Sequence, residues 1–271
     1  MVLEGIINPF KAEKKPWEMF FIGILYSSAA MLVSLIFFMA YASLIFVFFT
    51  VFVSIPIIYW TIKVEEEKDL TIHSEKLLIK EHGKALTFFI FLFLGFVVSF
   101  TLWYIFLPVD LSSAAFKVQA NTIAEVNNPL TGNVFNLAST LMFIFLNNLK
   151  VLLFCLIFAF FYGFGAIFIL TWNASVMAVA IGNLVHSQIG PYAAVLPLAL
   201  LKYFVHGIPE MFAYFMAGLA GGIISIAVIR HDFSGKQFKH IVMDSADLII
   251  GSIVILIIAA LLEVFVSPLI L

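Results

Sequence analysis

Charged side chains are scarce in this sequence. Asp, Glu, Lys and Arg make up 11% of its 271 residues, hydrophobic residues make up 63%, and the mean hydropathy is +1.14. A soluble domain, of which about a quarter is charged, carries far more polar surface than this. The shortage excludes a soluble globular protein and predicts an all-α polytopic helical membrane protein with about seven spans of about 20 residues each.

Cysteine and long basic runs are missing as well. The single cysteine, Cys155, lies in an apolar run, so we expect no intrachain disulfide, no metal site and no cofactor. The net charge is −2 and no basic block is long enough to suggest a nucleic-acid partner. The partner that this composition does predict is the lipid bilayer.

Motifs of common hydrolases and nucleotide-binding enzymes are also absent. The sequence contains no His-Glu-x-x-His, no Gly-x-Ser-x-Gly and no glycine-rich phosphate loop. Lys202, His206 and Glu210 could do general acid–base chemistry in principle, but only Ser187 and asparagines are candidates for the facing nucleophile or second acid. We therefore expect a protein that is not an enzyme.

Those three ionisable residues nevertheless dominate the apolar stretch from Leu196 to Gly222. Because they are four residues apart, they are predicted to share one face of a helix. Ionisable groups cost several kcal/mol inside a bilayer unless they are paired or face a wet cavity. The cluster is therefore either a polar clamp between helices or a functional site, and Pro209 predicts a bend beside it.

Apolar runs divide a single transmembrane domain into three parts. We predict an N-terminal three-span part with an outer loop (1–133), a core (134–230) and a final span (231–271). The clearest predicted spans are Met19 to Met39, Ser43 to Ile62, Leu86 to Leu107, Leu149 to Leu170, the helix that ends at Ile229, and Leu248 to Val264.

Two segments of the core are too short to be ordinary spans. Residues 134–148 are predicted to form a helix in the outer interface. Trp172 to Val185 would be only about 21 Å long as a helix, and a polar stretch, 186–191, separates it from Tyr192 to Val205. Short, interrupted apolar segments predict a broken or re-entrant helix.

The most charged segment, Lys63 to Lys84, lies between the second and third spans. Ser74 could cap a short helix there and Gly83 could end it. The segment is interpreted either as a solvated loop helix or as a docking site for a cytoplasmic partner.

Lysine and arginine predict the orientation in the cell membrane, because cytoplasmic loops are enriched in them. Eleven of the fourteen lie near the N-terminus, in Lys63 to Lys84, or in Arg230 to Lys239. We therefore place the N-terminus and these two loops in the cytoplasm, which requires that Trp172 to Val205 cross the bilayer only once in net terms.

Small residues repeat every four positions after the polar cluster. Gly218 and Gly222, together with Gly221, form rows on which a second helix can pack closely. Gly163 and Gly165 mark a similar contact in the preceding span. These rows predict a homo-oligomer, with packing inside one chain as the equal alternative.

Several of these residues together resemble a known family. The run His206-Gly207-Ile208-Pro209-Glu210 and the tail 217–222 are similar to the His-Gly-x-x-Glu and small-residue helix of stage II sporulation protein M. Asn147-Asn148, the two glycines of the preceding span and Asn173 follow the same order as in that family, and the likeness covers roughly 135–230. The resemblance implies a membrane scaffold for cell-wall hydrolases.

Two functions remain open at this stage. As a scaffold, the protein would hold an unidentified protein partner or its own twin, and Glu210 would pair with His206, Lys202 or Asn148. As an ion- or proton-coupled transporter or channel, it would expose Glu210 and His206 to a wet cavity. The resemblance favours the scaffold, and a cavity that reaches Glu210 would favour transport.

Overall fold

A computed structural model describes residues 15–72, 75–132, 137–162, 165–188, 190–229 and 236–270. Within these ranges the chain forms nine α-helices and no strand, and seven of the helices are long and apolar enough to cross a membrane. The prediction of an all-α polytopic membrane protein is confirmed. The helices are α1 Glu18–Phe37, α2 Ala42–Thr71, α3 Glu75–Phe106, α4 Val109–Ala115, α5 Lys117–Gly132, α6 Leu137–Tyr162, α7 Ala166–Ser187, α8 Tyr192–Ile229 and α9 Lys236–Phe265.

Helix α8 is the centre of the bundle. Its 38 residues span roughly 57 Å, which is well above the roughly 30 Å of a hydrocarbon core. It packs against α2, α3, α6, α7 and α9. Of its most apolar 18-residue stretch, 78% is buried inside the bundle. The corresponding share is 17% for α6 and 22% for α9, so these two helices form the outside of the bundle.

Helix α6 corrects one predicted boundary. Residues 137–162 form one continuous helix, so the division into an interfacial helix (134–148) and a separate span, Leu149 to Leu170, was wrong. The polar pair Asn147-Asn148 looked like the end of a membrane segment, but it lies in the middle of the span. Residues 133–136 lie outside the described residues.

The predicted re-entrant segment is not confirmed. Helix α7 begins at Ala166, so the apolar segment that looked like a 14-residue half is part of a 22-residue helix. Helix α8 begins at Tyr192 and continues without a break through Val205. The polar stretch around Gln188 is therefore a connection between two helices, each long enough to cross.

Most described residues of the charged segment between α2 and α3 are helical, and some of its charged side chains are buried. Both helices extend into it, and Gly83 lies inside α3, which continues past it. Glu65 is fully buried; its carboxylate accepts a hydrogen bond from Lys68 Nζ at 2.6 Å and lies 2.8 Å from Nδ1 of the buried His82. Ion pairing within the fold therefore replaces hydration here. The predicted cap, Ser74, lies outside the described residues.

Helix α5 is held against the bundle by a buried amide. The side chain of Gln119 is fully buried, and its Nε2 donates to the carbonyl oxygen of Ser43 at 2.8 Å and lies 3.3 Å from Ser175 Oγ. These contacts join α5 to α2 and α7. The connection that the sequence presented as an outer loop is therefore a packed element, and it reaches the cavity described below.

A close backbone contact joins α1 to α3. A Cβ atom built on Gly23 would lie 2.5 Å from the carbonyl oxygen of Leu92, and one built on Gly95 would collide with the backbone of Phe20. Only hydrogen atoms fit between the two helices at this point.

Replacing Gly95 with alanine should therefore destabilise the protein by about 1–3 kcal/mol, as overpacking of a tight contact does. The matched control is Gly83→Ala in the same helix. Among the described residues, no atom outside the adjacent helix backbone lies within 4 Å of a Cβ at that position, so alanine should keep stability or raise it by up to about 1 kcal/mol. Thermal unfolding of the purified protein in detergent measures both, and equal effects of the two substitutions would contradict the close contact.

Candidate functional site

A cavity of about 560 Å³ lies beside the central helix α8. Its walls come from α5, α6, α7, α8 and α9, so residues of the predicted core and of the final span both contribute to it. Its lining residues are Thr122, Ile123, Asn147, Asn148, Val151, Phe154, Phe158, Phe168, Ile169, Trp172, Asn173, Val176, Met177, Ala180, Tyr203, Glu210, Met211 and Glu263.

Glu210 lies near the middle of α8 and is half-buried, with its open surface on the cavity. Its Oε1 accepts a hydrogen bond from the hydroxyl of Tyr214 at 2.8 Å. Tyr214 is one helical turn further along α8 and is fully buried. Because that ring is packed on all sides, it fixes the position of the carboxyl group at the cavity wall.

A second carboxyl group reaches the same cavity from α9. Glu263 is half-buried, and no hydrogen bond to its side chain occurs within the described part of the chain. No lysine, arginine or histidine is among the described residues that line the cavity. The cavity therefore carries acidic groups without a fixed positive charge to balance them, which favours a cationic occupant.

Three asparagines complete the polar part of the wall. Asn147 and Asn148 come from α6, and Asn173 comes from α7. Asn173 donates through Nδ2 to the carbonyl oxygen of Ile169 at 2.8 Å, whereas Asn148 is only 7% exposed and makes no side-chain hydrogen bond to a described residue. A buried amide without a hydrogen-bond partner is costly, and Asn148 lines the cavity, where an occupant could supply that partner.

The three ionisable residues that were predicted to share one face of helix α8, Lys202, His206 and Glu210, do not all line the cavity. Glu210 lines the cavity, but His206 and Lys202 do not. Nδ1 of His206 lies 2.7 Å from the hydroxyl oxygen of Ser267, in the turn after α9. Residues four apart differ by about 40° around a helix of 3.6 residues per turn, so eight residues change the direction by about 80°.

The predicted helix-packing glycines contact other helices of the same chain. A Cβ on Gly218 would lie 2.9 Å from Cβ of Ala166, and one on Gly221 would lie 2.6 Å from the carbonyl oxygen of Leu156. Gly222 is buried too, and Gly165 lies against the backbone of Phe158 at the start of α7. These rows therefore do not lie on the outer surface, and a homo-oligomer stays a prediction that needs another face. Gly163 lies outside the described residues.

Sequence reasoning missed three residues of this arrangement. Glu263 is an acidic residue in the apolar part of the final span, which was the same signal that singled out Glu210. Tyr214 stands four residues after Glu210, the spacing at which helical side chains meet. Tyr203 contributes an aromatic wall, and nothing distinguished it from the other aromatic residues of the spans.

Comparison with known protein families identifies a match over the C-terminal two thirds of the chain. The family model of stage II sporulation protein M matches residues 85–268, which is more than half of the chain and includes every residue of the cavity wall. No curated protein and no solved structure matches the chain.

The link between Tyr214 and Glu210 can be tested by stability. Tyr214→Phe removes the hydroxyl and leaves the carboxyl group without this donor, which should cost about 1–3 kcal/mol. Tyr41→Phe is the matched control, because Tyr41 is 72% exposed and should change stability by less than about 0.5 kcal/mol. Thermal unfolding of both variants measures the difference, and a silent Tyr214→Phe would show that the hydrogen bond does not hold Glu210.

Proposed function

The chain belongs to the family of stage II sporulation protein M, and we propose that this member is a non-enzymatic integral membrane protein that binds a cation or a proton in its cavity and moves it across the bilayer. The observation that carries the proposal is that Glu210 and Glu263 line one cavity without a basic residue among its described lining. Such a cavity lowers the energy of a positive charge inside the membrane.

The hydrogen bonds around these carboxyl groups support a binding role over a clamp. In a clamp between helices, we expect each polar group to be satisfied by another, since unpaired polar groups are costly in a bilayer. Here Tyr214 satisfies one oxygen of Glu210, while Glu263 and Asn148 have no hydrogen bond to a described side chain. These groups leave room for an occupant.

The order of the spans supports the proposed orientation. If each of the seven long helices crosses once, the C-terminal ends of α2 and α8 lie on the same side as the N-terminal end of α1. Lysine and arginine are concentrated beside these ends, in Lys63 to Lys84 and in Arg230 to Lys239, so this count agrees with a cytoplasmic N-terminus in the cell membrane.

A scaffold is the second candidate, and the outer surface of the bundle favours it. Only 17% of the most apolar window of α6 and 22% of that of α9 is buried, so both helices present broad apolar faces. Such faces can contact lipid, a second copy of the chain or another membrane protein. In this function, the cavity would be a by-product of helix packing.

Flux through reconstituted vesicles separates the two candidates. We expect wild-type protein to dissipate an imposed proton or monovalent-cation gradient, and Glu210→Gln to lower the rate by about tenfold or more, because the amide keeps the shape but removes the charge. Asp110→Asn is the matched control, since this carboxyl group is exposed on α4 and outside the cavity wall.

The fold of each variant must be checked by thermal unfolding before its flux is interpreted. A folded wild-type protein without any proton or cation flux would contradict transport and favour the scaffold. If the wild-type protein and Glu210→Gln gave the same flux, transport would be supported, but Glu210 would have no part in it.

A further inference from the structure

The volume of the cavity is large for a simple ion. At about 560 Å³ it equals many water molecules, each of which takes roughly 30 Å³ of liquid, and it lies within the range of about 300–1,000 Å³ that is typical of small-molecule sites. Among the described residues no group of three or more His, Cys, Asp or Glu side chains is placed to hold a metal ion. Size and ligands therefore both point to a molecule larger than a metal ion.

Most of the wall is apolar, and much of it is aromatic. The aromatic members are Phe154, Phe158, Phe168, Trp172 and Tyr203. Aromatic faces attract organic cations, and this attraction strengthens when the cation is shielded from water. A wall that combines such rings with a few polar groups is suited to a ligand that has a positive head and an apolar body.

Three of the aromatic residues also reach the outside of the bundle. Phe154, Phe158 and Phe168 line the cavity and are 55%, 41% and 46% exposed. They belong to α6 and the first turn of α7, and α6 is the long helix with the smallest buried share. These three residues form a rim between the cavity and the outside of the bundle, so an alkyl chain attached to a ligand in the cavity has a route past them.

The cavity wall also carries polar groups, which differ in chemistry from the aromatic rim. Glu210 and Glu263 supply two carboxyl groups, and the buried Asn148 supplies an amide that makes no side-chain hydrogen bond to a described residue. A positively charged head beside the two carboxyl groups would neutralise them, and a polar substituent on that head would satisfy the amide.

We propose that the cavity binds an amphiphilic organic ammonium ion, with the positive head beside Glu210 and Glu263 and the alkyl chain passing the Phe154, Phe158 and Phe168 rim toward lipid. This inference rests on the proposed function, since it names the class of cation that the same cavity takes. It adds the apolar body and the sideways route, which a proton or a metal ion does not need.

Calorimetric titration of the full chain in lipid nanodiscs tests the inference with hexyltrimethylammonium as the probe. We expect saturable binding to one site per chain, beyond what protein-free nanodiscs show. Tetramethylammonium, which has the head without the chain, and hexanol, which has the chain without the charge, should each bind about tenfold more weakly or worse.

Substitutions then locate the site. Glu263→Gln should weaken hexyltrimethylammonium binding by about tenfold or more, because the ammonium head loses a carboxyl partner inside the cavity. Asp110→Asn should leave binding unchanged. Ala180→Phe fills part of the cavity without changing any charge, so it should also reduce binding. Thermal unfolding shows whether each variant is folded, and two variants of different chemistry keep the test valid if one of them fails to fold.

The outcomes distinguish this inference from the proposed function. Flux of protons or metal ions without saturable hexyltrimethylammonium binding overturns the inference and leaves transport intact. Saturable binding that Glu263→Gln and Ala180→Phe do not change also overturns it, because the probe then lies elsewhere. Binding that both variants weaken, without any flux, supports the site and overturns transport.

Discussion

Close packing along the C-terminal half of α8 is the constraint on which the bundle depends. Gly218 and Gly221 bring α7 and α6 to backbone contact distance, since added Cβ atoms would lie 2.9 Å from Ala166 and 2.6 Å from the carbonyl oxygen of Leu156. Lipid provides no hydrophobic drive between helices, so close van der Waals contact is what joins them. The N-terminal half of the same helix carries larger side chains, and there the same neighbours line a cavity.

The polar residues of the cavity are placed by the cost of exposing polar groups to lipid. An amide or carboxyl group inside a bilayer has to face either another polar group or an internal space. The cavity is lined by polar side chains from four helices: Asn148 on α6, Asn173 on α7, Glu210 on α8 and Glu263 on α9. Their convergence from four helices places the polar surface inside the bundle and leaves the outer faces of α6 and α9 to lipid.

Part of this arrangement is predictable from the sequence. The helical class and the importance of Glu210 and the asparagines were predictable, because a polar residue in an apolar run has few places to lie. The continuity of α6 was not, since Asn147-Asn148 in mid-span has the composition of a boundary. Burial of Glu65 beside His82 was hidden as well, because hydropathy does not distinguish a paired charge from a solvated one.

The sequence also did not reveal which helices the glycine rows contact. Small residues at four-residue spacing favour close helix contact, but they do not say whether the second helix belongs to the same chain, and here it does. A purely structural clamp has little reason to keep Glu263 and Asn148 without described partners, since apolar side chains of similar volume usually stabilise a core at least as well as buried charges. Their presence at one cavity therefore fits the proposed binding site better than a clamp between helices.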